Sequence, residues 1–209
     1  MGVGAAIDDR DVLLVVDVQN DFCPGGALPV PDGDAVVAPI LRLAEKFRHV
    51  VLTQDWHPAG HHSFASVHAG RQPFDQVTLA YGDQIVWPDH CVQETEGAAF
   101  HRHLRIPHAA LVLRKGFRRE IDSYSAFFEN DRRTPTGLAG YLRERGFSRV
   151  VVVGLALDFC VRFSAEDARQ LGFDVTVVEE GCRGIDVDGS VAATRRTLVD
   201  LGVSLAETM

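Results

Sequence analysis

The stretch RVVVVGLALDFCVRFSAEDARQLG, residues 149–172, decides the fold. Arg149 to Val153 is a short run of valines, the pattern of a strand covered on both faces. A turn follows, then Phe159 to Leu171 reads as a helix that Gly172 stops. The same strand-then-helix rhythm extends in both directions. Val12 to Asp17, His49 to Gln54, Ala109 to Leu113, Asp174 to Glu179 and Val203 to Ala206 read as further strands. Asp34 is placed to cap a helix to Phe47, Thr136 one to Arg145 with Gly146 as its stop, and Val187 to Asp200 reads as another. This alternation predicts an α/β protein, one doubly wound domain over residues 1–209 with helices on both faces of a parallel sheet.

Composition narrows the function classes. The 209 residues are 46% hydrophobic and 24% charged, with a net charge of −8. An acidic balance argues against a surface that tracks phosphates, so no nucleic-acid partner is expected. Arg114, Lys115, Arg118 and Arg119 form a local basic group that reads as a solvated loop face. No apolar run reaches the roughly 20 residues of a membrane span, so no membrane partner is expected either. Met1 to Arg10 lacks the pattern of a secretory signal. Cys23, Cys91, Cys160 and Cys182 lie far apart with no CxxC pair, which suits thiols in a reducing cytosol. A cytoplasmic protein is expected, and its chemistry permits a monomer or a homo-oligomer.

In an open parallel sheet, ligands bind beyond the carboxyl ends of the strands. Three strands end there on reactive groups: Asp17, Lys115 and, after a turn, Cys160. The first turn of a helix favours a thiolate and offers N–H groups to a developing oxyanion, which makes Cys160 a candidate nucleophile. A thiol of ordinary pKa near ~8.5 needs a proton acceptor or a positive neighbour. Asp17 is the candidate acceptor and Lys115 the fixed charge. Each has a plainer reading: a small buried hydrophobe for Cys160, a cap for Asp17, a snorkelling surface lysine for Lys115. Convergence on one sheet edge favours chemistry. Cys23, Cys91 and Cys182 lack that context and read as structural.

Asp55 to Gly97 shows no sustained period, and a loop this long inside a compact domain is usually functional or disordered. It holds Asp55, His57 and His90, two imidazoles and a carboxylate that suit one divalent metal ion, Zn²⁺ first, with Fe²⁺ or Mn²⁺ as alternatives. His61, ahead of His62 and His68, is the candidate for a further ligand. The alternative for each of these three is a solvent-facing ring or one bonded to a backbone carbonyl.

Seven segments carry a resemblance. They are Asp17-Val18-Gln19-Asn20-Asp21-Phe22-Cys23-Pro24-Gly25-Gly26, Asp55-Trp56-His57-Pro58, His61-His62-Ser63-Phe64-Ala65, Trp87-Pro88-Asp89-His90-Cys91, Arg114-Lys115-Gly116, Asp122-Ser123-Tyr124-Ser125-Ala126-Phe127, and Gly154-Leu155-Ala156-Leu157-Asp158-Phe159-Cys160-Val161. In this order they resemble the nicotinamidase/pyrazinamidase branch of the isochorismatase-like cysteine hydrolases, across roughly residues 11 to 190. The resemblance implies a six-stranded, mainly parallel sheet, a catalytic triad of Asp17, Lys115 and Cys160, and metal ligands Asp55, His57 and His90. It implies a cis bond between Leu155 and Ala156, which aims the N–H groups of Ala156 and Cys160 at an oxyanion. It places Phe22, Leu28, Trp87, Tyr124 and Phe159 around the ring of a substrate. Phe159 departs from relatives with a polar residue there, and the fourth metal position varies across the family.

The implied reaction is hydrolysis of a pyridine carboxamide, nicotinamide to nicotinate and ammonia, through a thioester, with pyrazinamide as a second substrate. Three competitors stand beside it. One is a cysteine amidohydrolase of another small amide or N-carbamoyl compound. Another is a metalloenzyme whose bound hydroxide attacks directly. The last is a catalytically silent metal or pyridine sensor.

Overall fold

The computed structural model describes residues 6–209, so the part of the Met1 to Arg10 reading that falls on residues 1–5 lies outside the described residues. The strands are β1 (Asp11–Val16), β2 (Val50–Asp55), β3 (Gln76–Leu79), β4 (Gly82–Ile85), β5 (Leu111–Lys115), β6 (Arg149–Leu155), β7 (Asp174–Arg183) and β8 (Ser204–Ala206). The helices are α1 (Val37–Ala44), α2 (Leu138–Glu144), α3 (Arg162–Gln170) and α4 (Ser190–Asp200). Six strands form one parallel sheet in the order β5-β2-β1-β6-β7-β8. Every residue of β1 and β2 is buried, as is all of β6 after Arg149. A strand covered on both faces has no polar side to show, which is why Val12 to Val16 and Val150 to Val153 read as continuous apolar runs. β2 is apolar only over Val50 to Leu52 and buries Thr53, Gln54 and Asp55 toward the site. At the sheet edge, β5 alternates instead, and Val112 is 47% exposed.

The order of the strands positions the site. From β1 the chain steps outward through β2 to β5, then crosses back to β6 on the other side of β1 and steps outward again. Strand order therefore reverses at the β1/β6 pair, where a crevice opens beyond the strand ends. Asp17 directly follows β1, and the segment Ala156 to Cys160 directly follows β6.

Local details differ from the sequence expectations, each for a physical reason. Asp34 does not cap α1; it lies within a 3₁₀ turn, Gly33–Val36, that leads into the helix. Thr136 is not the cap residue of α2, since left-handed Gly137 (φ 98°) holds that position; from one residue earlier its Oγ1 still accepts the Leu138 N–H at 3.2 Å. The helix expected from Phe159 is two pieces, a π turn over Leu157–Val161 and then α3. Gly172, at φ 93°, ends α3 as predicted. β7 runs on to Arg183, and its pairing with β6 shifts from Val152–Val177 to Gly154–Cys182 across a bulge. α4 starts at Ser190, not Val187, because Asp188 is left-handed at φ 51°. The region 55–97 contains the antiparallel β3/β4 hairpin, whose four-residue, half-exposed strands are too short to show a period.

Candidate active site

Four neighbouring strand ends each contribute one reactive group, in spatial order Lys115 (β5), Asp55 (β2), Asp17 (after β1) and Cys160 (after β6). Lys115 is their hub. Its Nζ lies 2.8 Å from Asp17 Oδ2 and 3.1 Å from Asp55 Oδ1, donates to Ser123 O at 2.7 Å, and stands 3.5 Å from Cys160 Sγ. Lys115 is 1% exposed, so the snorkelling alternative fails. Burial opposes its charge, but Asp17, Asp55 and Cys160 outweigh that and hold its pKa well above the usual lysine value.

Asp17 is fully buried in a left-handed backbone conformation at φ 47°. Its Oδ1 accepts the Thr53 hydroxyl at 2.6 Å, and its own N–H donates to Thr53 Oγ1 at 3.2 Å. Oδ2 has no well-angled hydrogen bond despite the nearby ammonium, so the contact with Lys115 is an ion pair that leaves lone-pair capacity free. Burial raises the Asp17 pKa, Lys115 lowers it, and the Asp55 charge adds to the rise; the net direction is upward. A buried carboxyl with raised pKa is a better base than a solvated one. The Cys160 thiol is also pushed well up, chiefly by burial, with Lys115 opposing and the carboxylates of Asp17 and Asp55 adding. A thiol with a raised pKa reacts only with a proton acceptor within reach, and Asp17 and Lys115 are the charged groups beside it.

The peptide bond between Leu155 and Ala156 is cis, as the resemblance implied. Ala156 precedes the π turn, and its carbonyl accepts from the Phe159 and Val161 N–H groups at 3.1 Å each. Cys160 sits within that turn.

Asp55, His57 and His90 come together with one donor atom each within 4.8 Å of the others, all buried. His57 Nδ1 contacts Gly116 O at 2.8 Å, and His90 Nδ1 contacts Pro88 O at 2.8 Å. Each Nε2 then faces Asp55 Oδ2, at 3.1 Å and 3.6 Å. Backbone carbonyls that fix the tautomer and turn Nε2 toward a common point are the outer support a metal-binding histidine needs. The local field is negative as well: burial alone would lower the His57 pKa, yet Asp55 and Asp122 raise it. A field that draws a proton to His57 draws a cation equally, so the three residues fit a divalent ion. Gly116 serves this geometry. Its φ is +65°, and a Cβ there would stand 2.5 Å from His57 Cε1.

His61 is buried, and its ring centroid lies 4.3 Å from that of His57. It groups with His57 and Asp122 in a second triple of donors. Both its nitrogens have partners, Ser63 Oγ at 2.7 Å and Arg118 O at 2.8 Å, and burial lowers its pKa to about 4. Its ring braces His57 while both nitrogens stay engaged with the protein.

A cavity joins the two groups. Phe22, Leu28, Trp87, Tyr124 and Phe159, all named from the sequence, line it together with Asp55, His90, Ala156 and Cys160. Three aromatic rings meet edge-on there. Trp87 and Phe159 are 4.9 Å apart at 88°, and Tyr124 lies 5.7 Å from Phe159 and 6.2 Å from Trp87. Tyr124 Oη accepts from Trp87 Nε1 at 3.1 Å and Gln84 Nε2 at 2.8 Å, which fixes two walls against each other.

Sequence reasoning did not single out several residues. Asp122 and Ile185 also line the cavity. Gln19 brackets Asp55, donating to its carbonyl and accepting its N–H, both at 2.8 Å. Thr53 seats Asp17. A signal existed for Thr53, a hydroxyl that directly follows the apolar run Val50 to Leu52, and for Gln19 and Asp122, which sit inside the quoted motifs. Ile185 had none.

The isochorismatase domain model matches residues 11–207. The nicotinamidase of Acinetobacter baylyi is 51% identical over 191 residues, covering 91% of this chain and 89% of that protein. Among solved structures, the Acinetobacter baumanii nicotinamidase pyrazinamidase has a TM-score of 0.94 at 52% identity, covering 95% of this chain and 96% of that one. A pyrazinamidase of Pyrococcus horikoshii, solved in complex with zinc, has a TM-score of 0.77 at 32% identity, covering 94% and 98%. With its strand order, its strand-end residues and these matches in agreement, the chain belongs to the isochorismatase domain family.

Proposed function

We propose that this protein hydrolyses nicotinamide to nicotinate and ammonia, and pyrazinamide by the same route, with Cys160 as nucleophile, Asp17 as proton carrier and Lys115 as fixed positive charge. The carrying observation is the single ammonium that touches Asp17, Asp55 and Cys160 from one side of an aromatic-walled cavity. The curated nicotinamidase at 51% identity supports the substrate.

The flat ring enters against the wall formed by Trp87, Tyr124 and Phe159, which holds the carboxamide beside Cys160 and makes attack effectively intramolecular. Asp17 takes the thiol proton as sulfur attacks the carbonyl carbon. The Ala156 and Cys160 N–H groups receive the oxyanion. Asp17 hands its proton to the amide nitrogen, the C–N bond breaks, and ammonia leaves a thioester on Cys160. Water then attacks the thioester carbonyl while Asp17 accepts its proton, and release of nicotinate returns that proton to sulfur. Throughout, Lys115 keeps its charge and stabilises the thiolate and the Asp17 carboxylate in turn.

Asp55, His57 and His90 would hold a divalent ion that supplies a Lewis-acidic anchor for a ring nitrogen when bound. Zinc is the expected identity, on the zinc-bound Pyrococcus relative, and Fe²⁺ or Mn²⁺ suit the same donors. No helix among the described residues is long and apolar enough to cross a membrane. The four cysteines are free and buried, which suits the cytoplasm. The family match over residues 11–207 supports reading the chain as one domain.

The test is direct assay of the purified protein with nicotinamide, following nicotinate by chromatography and ammonia by a coupled enzyme. The two products should rise one to one. No nicotinate from the metal-loaded protein would overturn the assignment.

A further inference from the structure

We infer that Asp158 is a positioning residue that fixes Ile185 as a specificity-determining wall of the cavity. The inference rests on the amide hydrolysis proposed above. Asp158 stands two residues before Cys160 in the π turn and is 2% exposed, yet it does not line the cavity. Its carboxylate reaches the segment between β7 and α4. Oδ1 accepts the Ile185 N–H at 3.0 Å, while Oδ2 accepts the Asp186 N–H at 2.8 Å and the Ser190 hydroxyl at 2.5 Å.

That segment has little regular structure of its own to hold it. Asp186 and Asp188 are both left-handed, at φ 60° and 51°. Asp186 Oδ1 turns back to accept the Val191 N–H at 3.1 Å. Gly184 packs against the anchor so closely that a Cβ would meet Asp158 Oδ1 at 3.1 Å and press harder still on Val191. Ile185, between these fixed points, lines the same cavity as Phe159 and Cys160. A carboxylate that accepts two consecutive backbone N–H groups and a hydroxyl sets a backbone position tightly, because charge-assisted bonds are short and directional. The turn that carries Cys160 thus also holds in place a second part of the cavity lining. The spacing between Ile185 and Cys160 then decides which ring substituents fit, and the pocket selects unsubstituted six-membered ring amides.

The test uses the full chain, metal-loaded, with nicotinamide and a panel of nicotinamides methylated at each free ring carbon. Ile185→Ala should raise the kcat/KM ratio of at least one methylated amide over nicotinamide by about tenfold or more, the range a methyl-sized change in an apolar pocket produces. Asp158→Asn places an amide N–H against backbone donors and should shift the same ratio in the same direction. Ser190→Ala, which removes one donor and leaves the carboxylate, should shift it less and serves if the Asp158 variant fails to fold. In an Ile185→Ala background Asp158→Asn should add nothing to the ratio, because a residue that acts through another is silent once that other is gone. An unchanged ratio in Ile185→Ala for every methyl position overturns the inference. So does an Asp158→Asn shift that persists undiminished in the double variant. Absence of wild-type turnover on nicotinamide would instead remove the underlying activity.

Discussion

Lys115 Nζ stands 2.8 Å from Asp17 Oδ2, with both side chains sealed from solvent. The two residues come from strands separated by β2, so the lysine reaches past Asp55 to meet its partner. A buried ion pair of this kind is a poor source of net stability, but removing one partner leaves an uncompensated charge. Lys115→Met should therefore destabilise the fold by about 3–5 kcal/mol in a denaturant titration and abolish turnover. Asp17→Asn in addition should recover much of that stability and none of the activity. Recovery of activity in the double variant would show that the pair is structural alone.

The acid limb of the rate profile should belong to Asp17. The reaction needs Asp17 ionised before it can take the thiol proton, so activity falls as pH drops through its pKa. Burial raises that pKa above the ordinary value of 3.8, so the loss of kcat/KM should begin at a higher pH than a solvated aspartate would set. A profile flat down to pH 4 in a protein still folded by circular dichroism would contradict the assignment.

Gly116 offers a test of the metal centre that changes no ligand. Gly116→Ala forces a Cβ against the His57 ring at a positive φ. Divalent-metal affinity, measured by competition with a chromogenic chelator, should fall by about 10–100-fold, the effect seen when outer support of a ligand is disturbed. Unchanged affinity would mean that His57 orientation is irrelevant to the ion.

Much of this architecture was legible in the chain because the physics behind it is local. Buried parallel strands are built on apolar runs, so Val12 to Val16, Val50 to Leu52 and Val150 to Val153 announce β1, β2 and β6, and the polar residues that close them follow. Asp17, Asp55, His57, Lys115 and Cys160 were visible because polar groups that close apolar strands are conspicuous. The pocket rings and Ala156 came from resemblance, not from pattern. Ile185 was invisible, since an isoleucine in an irregular stretch carries no sign of the fold that turns it inward. The β3/β4 hairpin was hidden for the opposite reason, being too short and exposed to show alternation. His61 was read as a candidate ligand because sequence counts imidazoles; the fold places it in a second donor triple with His57 and Asp122, its nitrogens also contacting Ser63 and Arg118.

Trp87 lines the cavity and meets both Tyr124 and Phe159 edge-on. Trp87→Ala should raise KM for nicotinamide by about tenfold or more through lost ring contact, with a smaller effect on kcat. Trp87→Phe should fall between the two. Equal loss in kcat and kcat/KM would place Trp87 in the chemistry and not in binding.

Acid quench of the protein during turnover of nicotinamide, followed by intact-mass and peptide mass spectrometry, examines the nucleophile itself. One nicotinoyl group should be found on the peptide carrying Cys160, and Cys160→Ala should bind nicotinamide in calorimetry yet form neither adduct nor nicotinate. Wild-type rates of nicotinate release from Cys160→Ala would contradict the account at its centre.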